Sequence, residues 1–243
     1  LINLTSYELE KYNQLTRKMM KHLTTTKSGK TRLSEVGKRI AIKRARLVAA
    51  AEKKLVKLKE KMQDYKYENH ILVYCGATTI SDIDYIEGIP NNKELRQITA
   101  VGRILGNELN MKVAQFTSEE NSKEREIIKE EFAKGENIQA LIAIRCLDEG
   151  VNIPNIKTAF ILASSTNPKE YIQRRGRVLR LASNKGFAKI YDFVTIPRSL
   201  DIVKSLTKDQ IKNDKSLVKK EIRRIKDFAD LSENPQKGYK LIN

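Results

Sequence analysis

Four arginines fall within seven residues of the run Q-R-R-G-R-V-L-R, Gln173 to Arg180. A guanidinium is permanently charged and presents a rigid fork of donors. Arginines set around a tight Gly176 therefore suit the negative charge that spreads over a phosphoryl group in transfer. On a helix, Arg177 and Arg180 are three residues apart and share a face. The same string also reads as the basic end of a helix, paired with acids such as Glu119 and Glu120. A second run, L-D-E-G-V-N-I-P from Leu147 to Pro154, directly follows the apolar stretch A-L-I-A-I. A strand that ends in polar residues and a glycine turn places them at the carboxyl edge of a sheet, where open parallel sheets bind ligands. There Gly150 allows close backbone approach and Asn152 can meet a hydroxyl or a phosphate. Taken alone, the string is also an ordinary strand-to-loop turn.

The elements that must position these runs are legible as alternating patterns. Short apolar runs H-I-L-V-Y-C, K-V-A-Q-F, A-L-I-A-I, T-A-F-I-L-A and A-K-I-Y-D-F recur from His70 onward. Helical stretches near 94–109, 122–134 and 168–178 separate them, which argues for a parallel sheet with crossover helices. Acids, Gly88 and Pro90 make residues 77–92 a loop. Before His70 the chain has no proline and two glycines. Val36, Ile40, Leu47, Ala51, Leu55, Leu58 and Met62 recur at helical spacing, so one amphipathic helix is expected there. An earlier helix from Ser6, the candidate cap, to His22 precedes it, with Thr24 to Arg32 as the loop between them. Beyond Pro197 lysine-rich helical sequence returns, with Ile222, Ile225 and Phe228 as a docking stripe. The expected divisions are a basic helical arm at 1–69, an α/β domain at 70–196 and a helical extension at 197–243.

The 47 Lys+Arg against 30 Asp+Glu give a formal charge of +17, an attraction to polyanions that salt would weaken. The excess flanks the middle of the chain: residues 1–69 hold 18 basic and 7 acidic residues, 70–195 hold 17 and 16, and 196–243 hold 12 and 7. Such lysine-rich helices serve either as a nucleic-acid track or as solvated faces. The apolar runs have strand length, and no signal-peptide pattern opens the chain, so a cytoplasmic protein with no membrane partner is expected. Cys75 and Cys146 sit in or beside apolar runs, which suits small buried side chains and gives no metal site. The string K-S-G-K-T, Lys27 to Thr31, ends like a phosphate-binding loop but lacks the glycine where Thr24 stands and follows a helix instead of a strand.

Together the two arginine- and glycine-bearing runs resemble motifs VI and V of superfamily-two helicases, in that family's order and spacing. H-I-L-V-Y-C-G, His70 to Gly76, is similar to its motif IV. F-T-S-E-E-N-S-K-E-R, Phe116 to Arg125, is similar to the stretch before motif V. The resemblance covers about residues 70–195, and the spellings are closest to DNA-dependent translocases of repair and restriction systems. It implies a RecA-like fold, a parallel β-sheet with helices on both faces, flanked by helical segments at either end.

The resemblance also implies roles. Arg177 and Arg180 match the arginine fingers that reach across an interdomain cleft to ATP. Gln173 matches the residue coupling that cleft to nucleic acid, and Gly176 shares its motif. Gly150 and Asn152 match positions near the ribose, where the family often has Asp in place of Asn152, so a hydrogen bond could survive but a charged contact could not. Thr117 and Arg145 match nucleic-acid backbone contacts, although a threonine at a strand end also serves as a turn former. A phosphate loop and a magnesium-holding acid box are missing from this sequence. ATP and Mg2+ are therefore expected to be bound mainly by a preceding N-terminal RecA-like domain of the same protein, with DNA favoured over RNA as the track. The competing expectation is a domain of the same fold that only binds nucleic acid or protein.

Overall fold

The computed structural model describes residues 1–25, 31–76, 97–117, 120–144, 156–163 and 187–242. The described chain groups into two compact units, Leu1–Lys53 with Val194–Asn243, and Lys54–Phe193. The expected loop at 77–92 and helix at 168–178 lie outside the described residues.

The second unit is built on five parallel strands in the order Val113–Phe116, Ala140–Ile144, Ile71–Cys75, Thr158–Ile161, Lys189–Asp192. These are the five apolar runs. Every residue of Ile71–Cys75 is buried, as a central strand covered on both faces requires, and its β-branched residues suit the pleat. The register sets Val73 between Ile142 and Phe160. Residues 71, 73, 142 and 160 thus share one face, and Leu72, Tyr74, Leu141 and Ala159 share the other.

The helix Gln97–Gly102 runs into a wider turn of π-helix, Arg103–Glu108. It covers the first face closely: a Cβ on Gly102 would stand 3.6 Å from Gln115 and 3.8 Å from Ile142. Helix Lys53–Met62 carries on into the turn Gln63–Tyr65, whose Tyr65 packs edge-on to Phe160 on this same face. The opposite face is covered by helix Ser122–Lys134, whose Phe132 enters a core with Leu72, Tyr74, Phe116, Leu141 and Ile156. The two described crossovers, into and out of the edge strand Val113–Phe116, run in opposite directions across the sheet and lie on opposite faces, as crossovers of one hand require.

Local chemistry sets the ends of helix Ser122–Lys134. Asn121 accepts from the backbone of Lys123 and Glu124, and the Glu124 side chain returns to the Asn121 N–H, a capping box. Gly135 ends the helix in the left-handed region at φ 75°. A Cβ there would stand 3.1 Å from the His70 ring. Gly135→Ala therefore loses about 1–2 kcal/mol through backbone strain and crowding, read as a lower urea midpoint with unchanged slope. An unchanged midpoint would show that neither constraint acts.

In the first unit three expectations are corrected. The cap of the first helix, Ser6–Met20, is Thr5 and not Ser6; Thr5 and Glu8 form a capping box. Within the expected 24–32 loop, Leu23–Thr25 and Thr31–Leu33 pair as antiparallel strands. The single helix expected across Val36 to Met62 is two, Glu35–Ala49 and Lys53–Met62. The break has a tertiary cause: the Glu52 N–H donates to the Glu8 carboxylate at 2.8 Å, withdrawing a donor from the helical ladder.

The arm and the C-terminal extension fold together in this unit. Ile2–Asn3 pairs in parallel with Thr195–Ile196. In helix Lys208–Ala229, Ile225 of the expected stripe is buried and Ile222 and Phe228 are half-buried. Charged residues join them: Glu221 accepts from the Thr195 N–H and from Arg224, and Arg198 binds Asp214 at 2.9 Å. Pairing is what permits such groups to be buried. Among the described residues no helix is long and apolar enough to cross a membrane.

Candidate functional site

In the sheet unit, the strand order places a topological switch between Ile71–Cys75 and its neighbour Thr158–Ile161. From the first the chain proceeds toward one edge of the sheet, and from the second toward the other; the carboxyl ends at such a point are where open α/β sheets bind ligands. Three side chains organise the described part of this edge.

Gln97, almost wholly buried, accepts a hydrogen bond from the Gly76 N–H at 2.8 Å and so fixes the backbone just beyond Cys75. Leu162 continues its strand by donating its N–H to the Tyr74 carbonyl at 3.0 Å, and its own carbonyl accepts from the Lys54 ammonium at 2.6 Å. Lys54 is 3% exposed, an unusual place for a lysine unless its head meets acceptors. Burial pushes the Cys75 thiol far up, so it stays protonated at this edge.

Thr117 stands one residue past Phe116, at the same edge. Its N–H and hydroxyl both donate to the Glu120 carboxylate, at 2.6 and 2.9 Å, and its carbonyl accepts from Arg125 at 2.8 Å. Arg125 also lies over the Phe116 ring at 5.7 Å. Each of these bonds shapes the turn into helix Ser122–Lys134. A phosphate contact from this hydroxyl would require Glu120 to turn away. Arg145, Gly150, Asn152, Gln173, Gly176, Arg177 and Arg180 lie outside the described residues. Strand Ala140–Ile144 ends at the carboxyl edge, directly before Arg145.

Lys54, Gln97 and Arg125 are not among the residues that the motifs single out. Lys54 carried a usable signal, since it falls on the helical face defined by Ala51, Leu58 and Met62, where an apolar residue is expected. Gln97 and Arg125 carried none, because their partners are set by the turn geometry. Among the described residues no group of three or more His, Cys, Asp or Glu is placed to hold a metal ion.

The chain belongs to the helicase conserved C-terminal domain family, whose profile matches residues 53–182. A protein of Sulfolobus islandicus filamentous virus (isolate Iceland/Hveragerdi) named "Putative helicase 22" is 34% identical over 82 residues, 34% of this chain and 15% of that protein. The chain therefore matches about a seventh of that relative's length. The SWI2/SNF2 ATPase core of Sulfolobus solfataricus, solved in complex with dsDNA, shares the fold with a TM-score of 0.53 and 15% identity, over 87% of this chain and 48% of that one. The parallel sheet and its covering helices are the fold shared with that ATPase core.

Proposed function

We propose that this chain is the second motor domain of an ATP-dependent superfamily-two helicase or translocase. The observation that carries the reading is the helicase-domain match across the sheet whose switch point opens between Ile71–Cys75 and Thr158–Ile161. Both motif-bearing segments, 145–155 and 164–186, follow strands whose carboxyl ends line that edge.

In this reading Arg177 and Arg180 are aimed at ATP held by the N-terminal RecA-like domain of a longer protein. Gly150 and Asn152 approach the ribose, and Gly176 lets the backbone pass close by. Gln173 links the nucleotide cleft to the nucleic acid, whose backbone Thr117 and Arg145 contact. The described edge fits such a role because Lys54 and Gln97 hold its backbone in place at Leu162 and Gly76. Bound Mg2+ would neutralise phosphate charge, held mainly by the other domain's residues. DNA is the favoured track, on the spelling of the two motifs, with the basic helices of the first unit adding attraction.

The 243-residue chain alone is expected to hydrolyse ATP no faster than buffer, with or without single-stranded DNA, because phosphate loop, metal and arginines must meet at one site. A phosphate-release assay on the purified chain decides it. Turnover by this chain that Arg177→Ala abolishes would sink the two-domain reading.

A further inference from the structure

Along the edge strand Lys189–Asp192, from the middle of its sheet face to the amino ends of the strands, lies a surface that the motor reading does not use. Phe160 and Tyr191 stack at 5.0 Å, and Tyr65 meets both edge-on at 5.5 and 5.7 Å. This forms a rigid aromatic base beside the edge strand Lys189–Asp192. The Tyr65 and Tyr191 hydroxyls are 2.6 Å apart. One donates to the other, so one hydroxyl proton remains to be given elsewhere. Lys61 stands 5.4 Å from the Tyr191 ring and Lys189 stands 5.7 Å from the Tyr65 ring.

Two aromatic rings lie open to water nearby: Tyr67, 88% exposed with Lys66 over its ring at 5.7 Å, and Phe187, 68% exposed and two residues before Lys189. Exposed Lys112 and Lys157 immediately precede two further strands. The acids nearby are Asp64, which pairs with Lys61, and the exposed Glu68 and Glu136.

We propose that this amino edge is a second binding surface, for single-stranded nucleic acid, in which the Lys61, Lys189 and tyrosine-hydroxyl cluster takes a phosphate and the open rings of Tyr67 and Phe187 take bases. Lysines alone would suit any polyanion, an acidic protein segment included. The rings decide between them: an acidic segment leaves them idle in water, whereas every base has a π-face to stack on an aromatic ring. Lys157 and Lys189 stand at the amino ends of adjacent strands, about 4.8 Å apart in the sheet, a step that a phosphate backbone can follow. The surface lies at the end of the sheet opposite the nucleotide-facing edge and does not need the motor reading.

The test is fluorescence anisotropy of a labelled oligothymidylate with the 243-residue chain. Tyr67→Ala and Phe187→Ala are each expected to weaken binding about 5- to 30-fold without lowering the melting temperature, since both rings are exposed. Lys61→Gln with Lys189→Gln should flatten the salt slope by about 0.7 per lysine. If the chain binds the oligonucleotide and all four substitutions leave affinity and salt slope unchanged, this surface is removed and the motor reading stands. If poly-glutamate binds instead, and oligothymidylate affinity ignores the rings, the edge serves an acidic protein and the proposal is overturned. If the chain binds no oligothymidylate, this proposal is overturned, while the motor reading, whose track lies in a two-domain protein, is tested by its own ATPase measurements.

Discussion

If this chain is the proposed second motor domain, Arg177→Ala and Arg180→Ala, made in a protein that joins it to a nucleotide-binding domain, should each cut nucleic-acid-stimulated ATP turnover by about 10³-fold or more while leaving nucleotide affinity nearly intact. Charge sets the size of the effect. Extra negative charge appears on the phosphoryl group only as the bond to the leaving oxygen breaks, so a guanidinium aimed there stabilises the transition state more than bound ATP. Lysine should rescue poorly, because it keeps the charge and loses the planar fork that holds two oxygens. Turnover and fluorescent-nucleotide affinity measured on the same preparations separate the alternatives. If the arginines are structural ion-pair partners, melting temperature, affinity and rate fall together, and that pattern in both variants would remove them from the chemistry.

Phe132→Ala carries the largest expected loss of stability, about 3–5 kcal/mol. Phe132 is fully buried, in a core shared with Leu72, Tyr74, Phe116 and Leu141. Its removal leaves a void between helix Ser122–Lys134 and the central strands, and close-packed neighbours relax only partly into such a space. Phe132→Leu, which keeps most of the volume, should cost well under half as much. Urea unfolding of the pair checks this. Equal midpoints for the two variants would show that the helix is not seated on the sheet as described.

How much of this was legible in the sequence follows from where each constraint originates. The five strands declared themselves, because a buried parallel strand must be apolar on both faces, and I-L-V-Y-C and A-L-I-A-I are. Helix Ser122–Lys134 was readable to the residue, since Asn121 and Gly135 act through bonds spanning only a few positions. The split of the long helix was not, because Glu52 donates to Glu8, 44 positions away, and the apolar period runs on across the break. The two-residue pairing of Ile2–Asn3 with Thr195–Ile196 has no period at all. It exists because the two ends of the chain meet in one unit, and that also explains why arm and extension read as separate pieces.

The candidate site divides in the same way. Its arginines and glycines were singled out because phosphate chemistry demands those residue types at close spacing, and they lie outside the described residues. Of the groups that hold its backbone, Lys54 showed only as a charge on an apolar helical face, its partner Leu162 lying 108 positions away, and Gln97 showed nothing, since it matters only through Gly76. Thr117 was read both as a nucleic-acid contact and as a turn former. In the structure its three polar groups serve the turn through Glu120 and Arg125.

The most direct test of the proposed motor role is a structure of this chain joined to a nucleotide-binding domain and trapped with ADP and aluminium fluoride, which mimics the phosphoryl group in transfer. The account places the Arg177 and Arg180 guanidiniums within hydrogen-bonding distance of the fluoride ligands, with the nucleotide and its magnesium held by the preceding domain. If the analogue is bound with both arginines turned away and paired to acids of their own domain, the account is contradicted.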